Sequence, residues 1–159
     1  MAPRPKLTGF DWQLLEALSK NSRATVSELA RELGRSRSSI TEHLRKLIDQ
    51  RVIANFGVNL NEEALGVGLT AFVRLEADSS QHREIVETVG RIPEVAECHV
   101  LTGNDLLMMR IIAKDMPHLR SLVDGFTNWG ATTTDVIFST VKPSLKVNKE
   151  LRQKLRGTD

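Results

Sequence analysis

One stretch, Thr25 to Ile53, restricts the folds open to this chain more than any other: TVSELARELGRSRSSITEHLRKLIDQRVI. Thr25 and Glu28 stand in T-x-x-E spacing, a capping box whose two side chains satisfy amide donors that a helix start leaves unpaired. Val26, Leu29, Ala30 and Leu33 then recur at helical period. Gly34 ends that helix, and only Arg35 and Ser36 separate it from the next apolar stripe, Ile40, Leu44, Leu47 and Ile48. Two helices joined so tightly must cross sharply and share one small core. The small side chain of Ala30 lets their backbones approach.

This spacing predicts a helix-turn-helix, whose second helix enters the DNA major groove. With Ile40, Leu44 and Leu47 turned inward, Ser38, Thr41, Glu42 and Arg45 project outward, and Arg35, Ser36 and Arg37 surround the helix start. Hydroxyls, cations and free amides in one place suit phosphate oxygens and base edges. The candidate DNA-contacting set is Thr25, Arg35, Ser36, Arg37, Ser38, Ser39, Thr41, Glu42, Arg45 and Lys46. An ordinary helical hairpin with a solvated polar face is the plainer alternative, but cap, turn and basic face all agree with DNA contact.

The net charge of +2 says little until it is divided along the chain. Residues 1–57 carry 10 Lys and Arg against 6 Asp and Glu, residues 58–143 carry 7 against 12, and residues 144–159 carry 5 against 2. The footprint for a polyanion therefore lies on the N-terminal part, while an acidic middle is unsuited to embrace DNA. No apolar run approaches a membrane span and MAPRPKLTGF lacks a signal-peptide core, so a cytoplasmic protein without membrane partners is expected. Cys98 is the only cysteine and excludes an internal disulfide; among Val95, Ala96 and Val100 it reads as a buried strand residue.

Upstream, residues 1–6 read as a flexible basic arm. Thr8 and Asp11 repeat the cap pattern, and Phe10, Leu14, Ala17 and Leu18 predict a bracing helix running to about Ser19, with Trp12 at its edge. Downstream, Arg51 to Val58 has strand character, suiting a short wing or a first linker strand, and Asn61 to Gly66 reads as one capped helical turn. The remainder alternates between the two periodicities. Leu69 to Leu75 predicts a strand, Ile85 to Ile92 a helix from near Ser80, and Val95 to Leu101 and Leu106 to Ala113 two further strands. Leu119 to Phe126 predicts a helix capped by Asp115, and Thr132 to Val141 a last strand.

The order βαββαβ implies an α+β, ferredoxin-like domain with both helices on one face of a four-stranded antiparallel sheet. Apolar residues at both parities, as in Leu106-Leu107-Met108-Met109, imply that the other face is covered too, by a second copy of the chain. The expected organisation is a helix-turn-helix domain over 1–57, a linker over 58–66, a sheet domain over 67–143 and a basic tail over 144–159. In the tail, Val147, Leu151 and Leu155 allow an amphipathic helix or a solvated segment.

Over about residues 7–142 the chain resembles the Lrp/AsnC, or feast/famine, family of prokaryotic transcription regulators. The resemblance rests on Asp11-Trp12-Gln13-Leu14-Leu15-Glu16-Ala17-Leu18, on Val26 to Ala30 followed by Gly34 and Ser36, on Ile40 to Leu47, on Arg51-Val52-Ile53, on Leu65-Gly66 and on Pro93 to Gly103. It implies a winged-helix-like DNA-binding domain and a RAM-type (ACT-like) βαββαβ domain. It also implies a homodimer that assembles into tetramers, octamers or larger rings, and a free amino acid bound between dimers as effector.

By position, the effector residues would be Leu101, Thr102, Gly103, Asn104 and Asp105, with Thr132, Thr133 and Thr134 on the last strand. Backbone amides of a glycine loop suit a carboxylate, and Asp105 suits an ammonium group. The family's loop usually carries its aspartate where Leu106 stands here, and its last strand commonly has an arginine where Thr133 stands. The alternatives that follow are an effector-independent DNA-binding regulator and a metabolite sensor of the same fold.

Catalysis finds no support in the motifs: His43, His82, His99 and His118 share no metal-ligand spacing, and no nucleophile elbow or phosphate loop occurs. The expectation is a non-enzyme with no cofactor or metal. RNA binding on the sheet would need exposed aromatics, and the chain has no Tyr and 5 Phe.

Overall fold

The computed structural model describes residues 5–103, 106–141 and 147–155. The chain divides into two compact units, the second running from Asn59 to Val141.

The first unit is built on three helices, α1 (Gly9–Lys20), α2 (Val26–Leu33) and α3 (Arg37–Asp49). Both expected capping boxes form: the Thr8 and Thr25 hydroxyls accept from the amides of Asp11 and Glu28, and each carboxylate accepts in return from the cap residue's amide. Gly34, at φ 62°, closes α2 in the left-handed region that glycine occupies without steric cost. Ser36 caps α3, accepting from the Ser39 amide. Leu14, Ala17, Leu18, Leu29, Ala30, Ile40 and Leu47 form the buried core, with Leu44 packed at its margin.

Ile48, expected on that apolar stripe, is instead 42% exposed. It lies one helical step past Leu47, beyond the reach of the bracing helices. The end of α3 is a Schellman arrangement, in which the amide of Val52 donates to the Leu47 carbonyl and that of Arg51 to the Ile48 carbonyl. After this turn, residues 54–60 form no strand, so the strand expected over Arg51 to Val58 is absent. Arg51 to Ile53 are drawn into the turn that closes α3, and residues 54–58 have no strand partner among the described residues, which a strand needs. The short helix α6 (Lys149–Leu155) belongs to this unit, with Val147 and Leu151 half-buried.

The second unit has the expected βαββαβ order, β1 (Leu69–Ala77), α4 (His82–Val89), β2 (Val95–Val100), β3 (Leu107–Ala113), α5 (Met116–Phe126) and β4 (Gly130–Val136). The sheet is antiparallel with spatial order β2-β3-β1-β4. Odd-numbered residues of the two central strands, Ala71, Val73, Leu75, Leu107, Met109 and Ile111, are fully buried together with Ile85, Val89, Leu119 and Phe126 of the helices. β4 stops at Val136, opposite Ala71, rather than at Val141, and the Ile137 amide makes its last bond to β1, to the Thr70 carbonyl.

Even-numbered residues of the two central strands make the opposite face, and that face is mixed rather than apolar. Phe72, Met108 and Ile112 share it with two ionic clusters, Arg74–Asp135 at 3.4 Å and Arg110 bridging Glu97 and Glu62 at 2.8 Å each. Glu62, next to the 3₁₀ turn Glu63–Leu65, also accepts from the Thr70 hydroxyl, so part of this face is covered by the chain itself. The Arg110 hydrogen bond holds the Glu97 carboxyl below its usual range. Cys98 is exposed, not buried. It pairs with Met109 and faces the helices, but β2 is the edge strand and the helices do not extend over it.

Candidate nucleic-acid interface and effector positions

The outer face of α3 presents Ser38, Thr41, Glu42, Arg45, Lys46, Asp49 and Gln50 around a shallow concavity. Arg35, Arg37, Ser38, Thr41, Glu42 and Arg45 are all exposed, as expected, while Ser39 is half-buried. Several candidate groups are already engaged locally. The Thr25 hydroxyl is held in its capping box, Ser36 caps α3 and bonds the Ser38 hydroxyl at 2.9 Å, and the Thr41 hydroxyl donates to the Arg37 carbonyl. Their hydroxyls keep hydrogen-bonding capacity to spare. Arg45 lies 3.7 Å from Asp49, but both are largely exposed, and such pairs contribute little.

Lys46 lines the same concavity and is also paired inward. Its ammonium lies 3.6 Å from the carboxylate of Asp11, which is 0% exposed. The same carboxylate accepts from His43 Nδ1 at 2.7 Å and from the amide and hydroxyl of Thr8 at 2.7 and 2.8 Å. Burial alone would push the Asp11 pKa up; the hydrogen bonds from His43 and Thr8 and the charge of Lys46 overcome it and bring it down to about 2. Because a carboxylate only accepts, His43 carries its proton on Nδ1.

Arg35 has a partner of its own: its guanidinium sits 5.1 Å over the Phe10 ring, whose edge-to-face neighbour is His43 at 4.7 Å. His43 falls on the core side of α3, three residues after Ile40 and four before Leu47, a position legible from helical period. Its partner, 32 residues upstream, carried no local signal.

Among the described residues, the effector candidates do not converge within one chain. Leu101, Thr102 and Gly103 follow β2, while Thr132 to Thr134 lie on β4 at the opposite edge. Val100, Leu107, Leu75 and Thr132 form one row across the sheet, so the two sets are three strand spacings apart, about 14 Å. Thr132 and Thr134 face the helices and Thr133 the other side, so their side chains do not share one face of the sheet. Asn104 and Asp105 lie outside the described residues.

A helix-turn-helix with an exposed, arginine- and hydroxyl-bearing second helix, followed by a βαββαβ ferredoxin-like domain, defines a DNA-binding regulator with a separate sensing or assembly domain. Comparison with known proteins makes this specific. The winged helix-turn-helix DNA-binding model matches residues 7–54, and the Lrp/AsnC ligand binding domain matches residues 70–147. The chain belongs to the Lrp/AsnC family of HTH-type transcriptional regulators, as its resemblance implied.

It is 33% identical to an HTH-type transcriptional regulator of Bacillus subtilis over 129 residues, 81% of this chain and 91% of that protein. An HTH-type regulator of Pyrococcus horikoshii is 30% identical over 146 residues, 87% of this chain and 97% of that protein. Among solved structures, a Neisseria meningitidis transcriptional regulator in complex with L-Met superposes with a TM-score of 0.82 at 24% identity, covering 92% of this chain and 99% of that one. At that identity the likeness shows the fold. The relatives are named as regulators, which accords with a non-enzyme.

Proposed function

We propose that this regulator reads duplex DNA through the outer face of α3, with Ser38, Thr41, Glu42 and Arg45 facing base edges and Arg35, Ser36 and Arg37 at the phosphates. The observation that carries this reading is the exposure of that face, which the three-helix core leaves open. Glu42 suits the amino group of cytosine and Arg45 the acceptors of guanine. Two copies, paired through the mixed sheet face around Phe72, Met108 and Ile112, would set two such helices at a fixed spacing along the duplex. Family membership supports assembly beyond the dimer and work in the cytoplasm, where the DNA lies.

The ligand-binding domain supports control by a small molecule of amino-acid type, and the L-Met complex of the Neisseria protein makes methionine the first to try. Because the two candidate edges are about 14 Å apart in one chain, such a ligand would need residues from more than one copy. A thermal-shift screen of amino acids, run beside light-scattering mass, tests it; no shift with any of them favours an effector-independent regulator. For DNA, Arg45→Ala should weaken binding to a selected operator by about 1–3 kcal/mol while leaving random duplex nearly unaffected. Equal loss on both duplexes would make Arg45 a phosphate contact.

A further inference from the structure

We propose that Asp11 is an internal counter-ion that keeps Lys46 off the DNA backbone, and so sets how far binding depends on sequence rather than on charge. The inference rests on the reading of α3 as the DNA-facing helix. Arg45 and Lys46 are neighbours on that helix, yet their side chains are 83% and 38% exposed. The difference lies in Asp11, which belongs to α1 and reaches the inner border of α3.

The Asp11 carboxylate cannot swing out with Lys46. One oxygen accepts from His43 at 2.7 Å, and the other accepts twice from Thr8, at 2.7 and 2.8 Å. A phosphate must therefore take Lys46 away from an anion that is fixed and shut off from water. A solvated phosphate competes poorly for it, since charges interact more strongly where the effective dielectric is low. Each lysine that does reach a phosphate adds affinity for any sequence alike, through counter-ion release. Holding one back trims the sequence-independent part of binding and leaves the base-facing side chains of α3 to decide. Asp11 touches no DNA in this scheme; it is a positioning residue acting through Lys46.

The test measures binding of fluorescent duplexes to the full-length protein between about 50 and about 200 mM salt, using an operator selected from a random pool and a random duplex of equal length. Asp11→Asn should steepen the dependence of log affinity on log salt by about 0.9, losing about threefold more affinity for random duplex across that range than the wild type does. Its preference for the selected operator should fall. Lys46→Gln alone should leave the wild-type slope unchanged, and the double variant should return to it.

An unchanged slope in folded Asp11→Asn overturns the proposal. So does a slope shallower by about 0.9 in Lys46→Gln, since Lys46 would then already meet a phosphate with Asp11 in place. Should Asp11→Asn fail to fold, Lys46→Gln decides alone. A wild-type protein that enriches no operator would defeat the reading of α3 itself, an outcome distinct from either.

Discussion

Asp11 shows how much one buried carboxylate can hold together. It closes the capping box of α1 and anchors His43 and Lys46 of α3, so one side chain joins a helix start to the inner edge of the recognition helix. Its pKa falls from 3.8 to about 2 on folding, so the unfolded chain binds the proton more readily. The stability it contributes, about 2 kcal/mol, is present above pH 4 and lost as pH falls toward 2. Acid titration of the melting temperature should show a loss in this window that Asp11→Asn abolishes; an identical acid limb in both proteins would contradict the assignment. Arg51 is a second singular residue. At φ 55° it occupies the left-handed position of the Schellman turn, where glycine is the usual occupant. Arg51→Gly should raise stability by about 0.5–1 kcal/mol in denaturant titration, and a lower midpoint would show that the side chain makes a compensating contact.

Among the elements, β4 is held in place by a backbone approach that only glycine permits. A Cβ on Gly130 would collide with the Glu76 carbonyl of β1, the strand it pairs with. Gly130→Ala should therefore cost about 1–3 kcal/mol in chemical denaturation, since β1 and β4 would have to separate at their first rung. A cost near zero would mean that the strand end slides freely. The recognition helix, by contrast, is specified locally: Ser36 starts it, Leu47 and Val52 close it, and Ile40 and Leu47 fix which side faces inward. The element that failed to appear, the strand over Arg51 to Val58, has the right residue types, but its first amides bond back to α3 and residues 54–58 find no strand partner among the described residues. Phe56 and Val58 are left 54% and 84% exposed.

For the whole molecule, the open sheet face bears on assembly. Phe72 is 37% exposed amid half-buried Met108 and Ile112, and ion pairs flank the three. Such a mixture can be wetted in a single chain or pressed against another copy, with charges setting register at the rim. Phe72→Glu should lower the light-scattering mass toward that of one chain while preserving the secondary structure. An unchanged mass would place the interface elsewhere.

Local patterns were enough for most of the elements and for the exposed side of α3, because caps, glycine turns and helical or strand period act over a few residues and are written in neighbouring letters. The βαββαβ order followed from alternation of period for the same reason. Tertiary contact alone decided the rest. It paired Lys46 with Asp11, left Cys98 bare because β2 is an edge, and gave β4 its last bond at Thr70 of β1. It also set Leu101 to Gly103 and Thr132 to Thr134 on opposite edges of one sheet. These outcomes depend on which residues distant in sequence become neighbours, and a side chain's partner 32 residues away leaves no trace in local spacing.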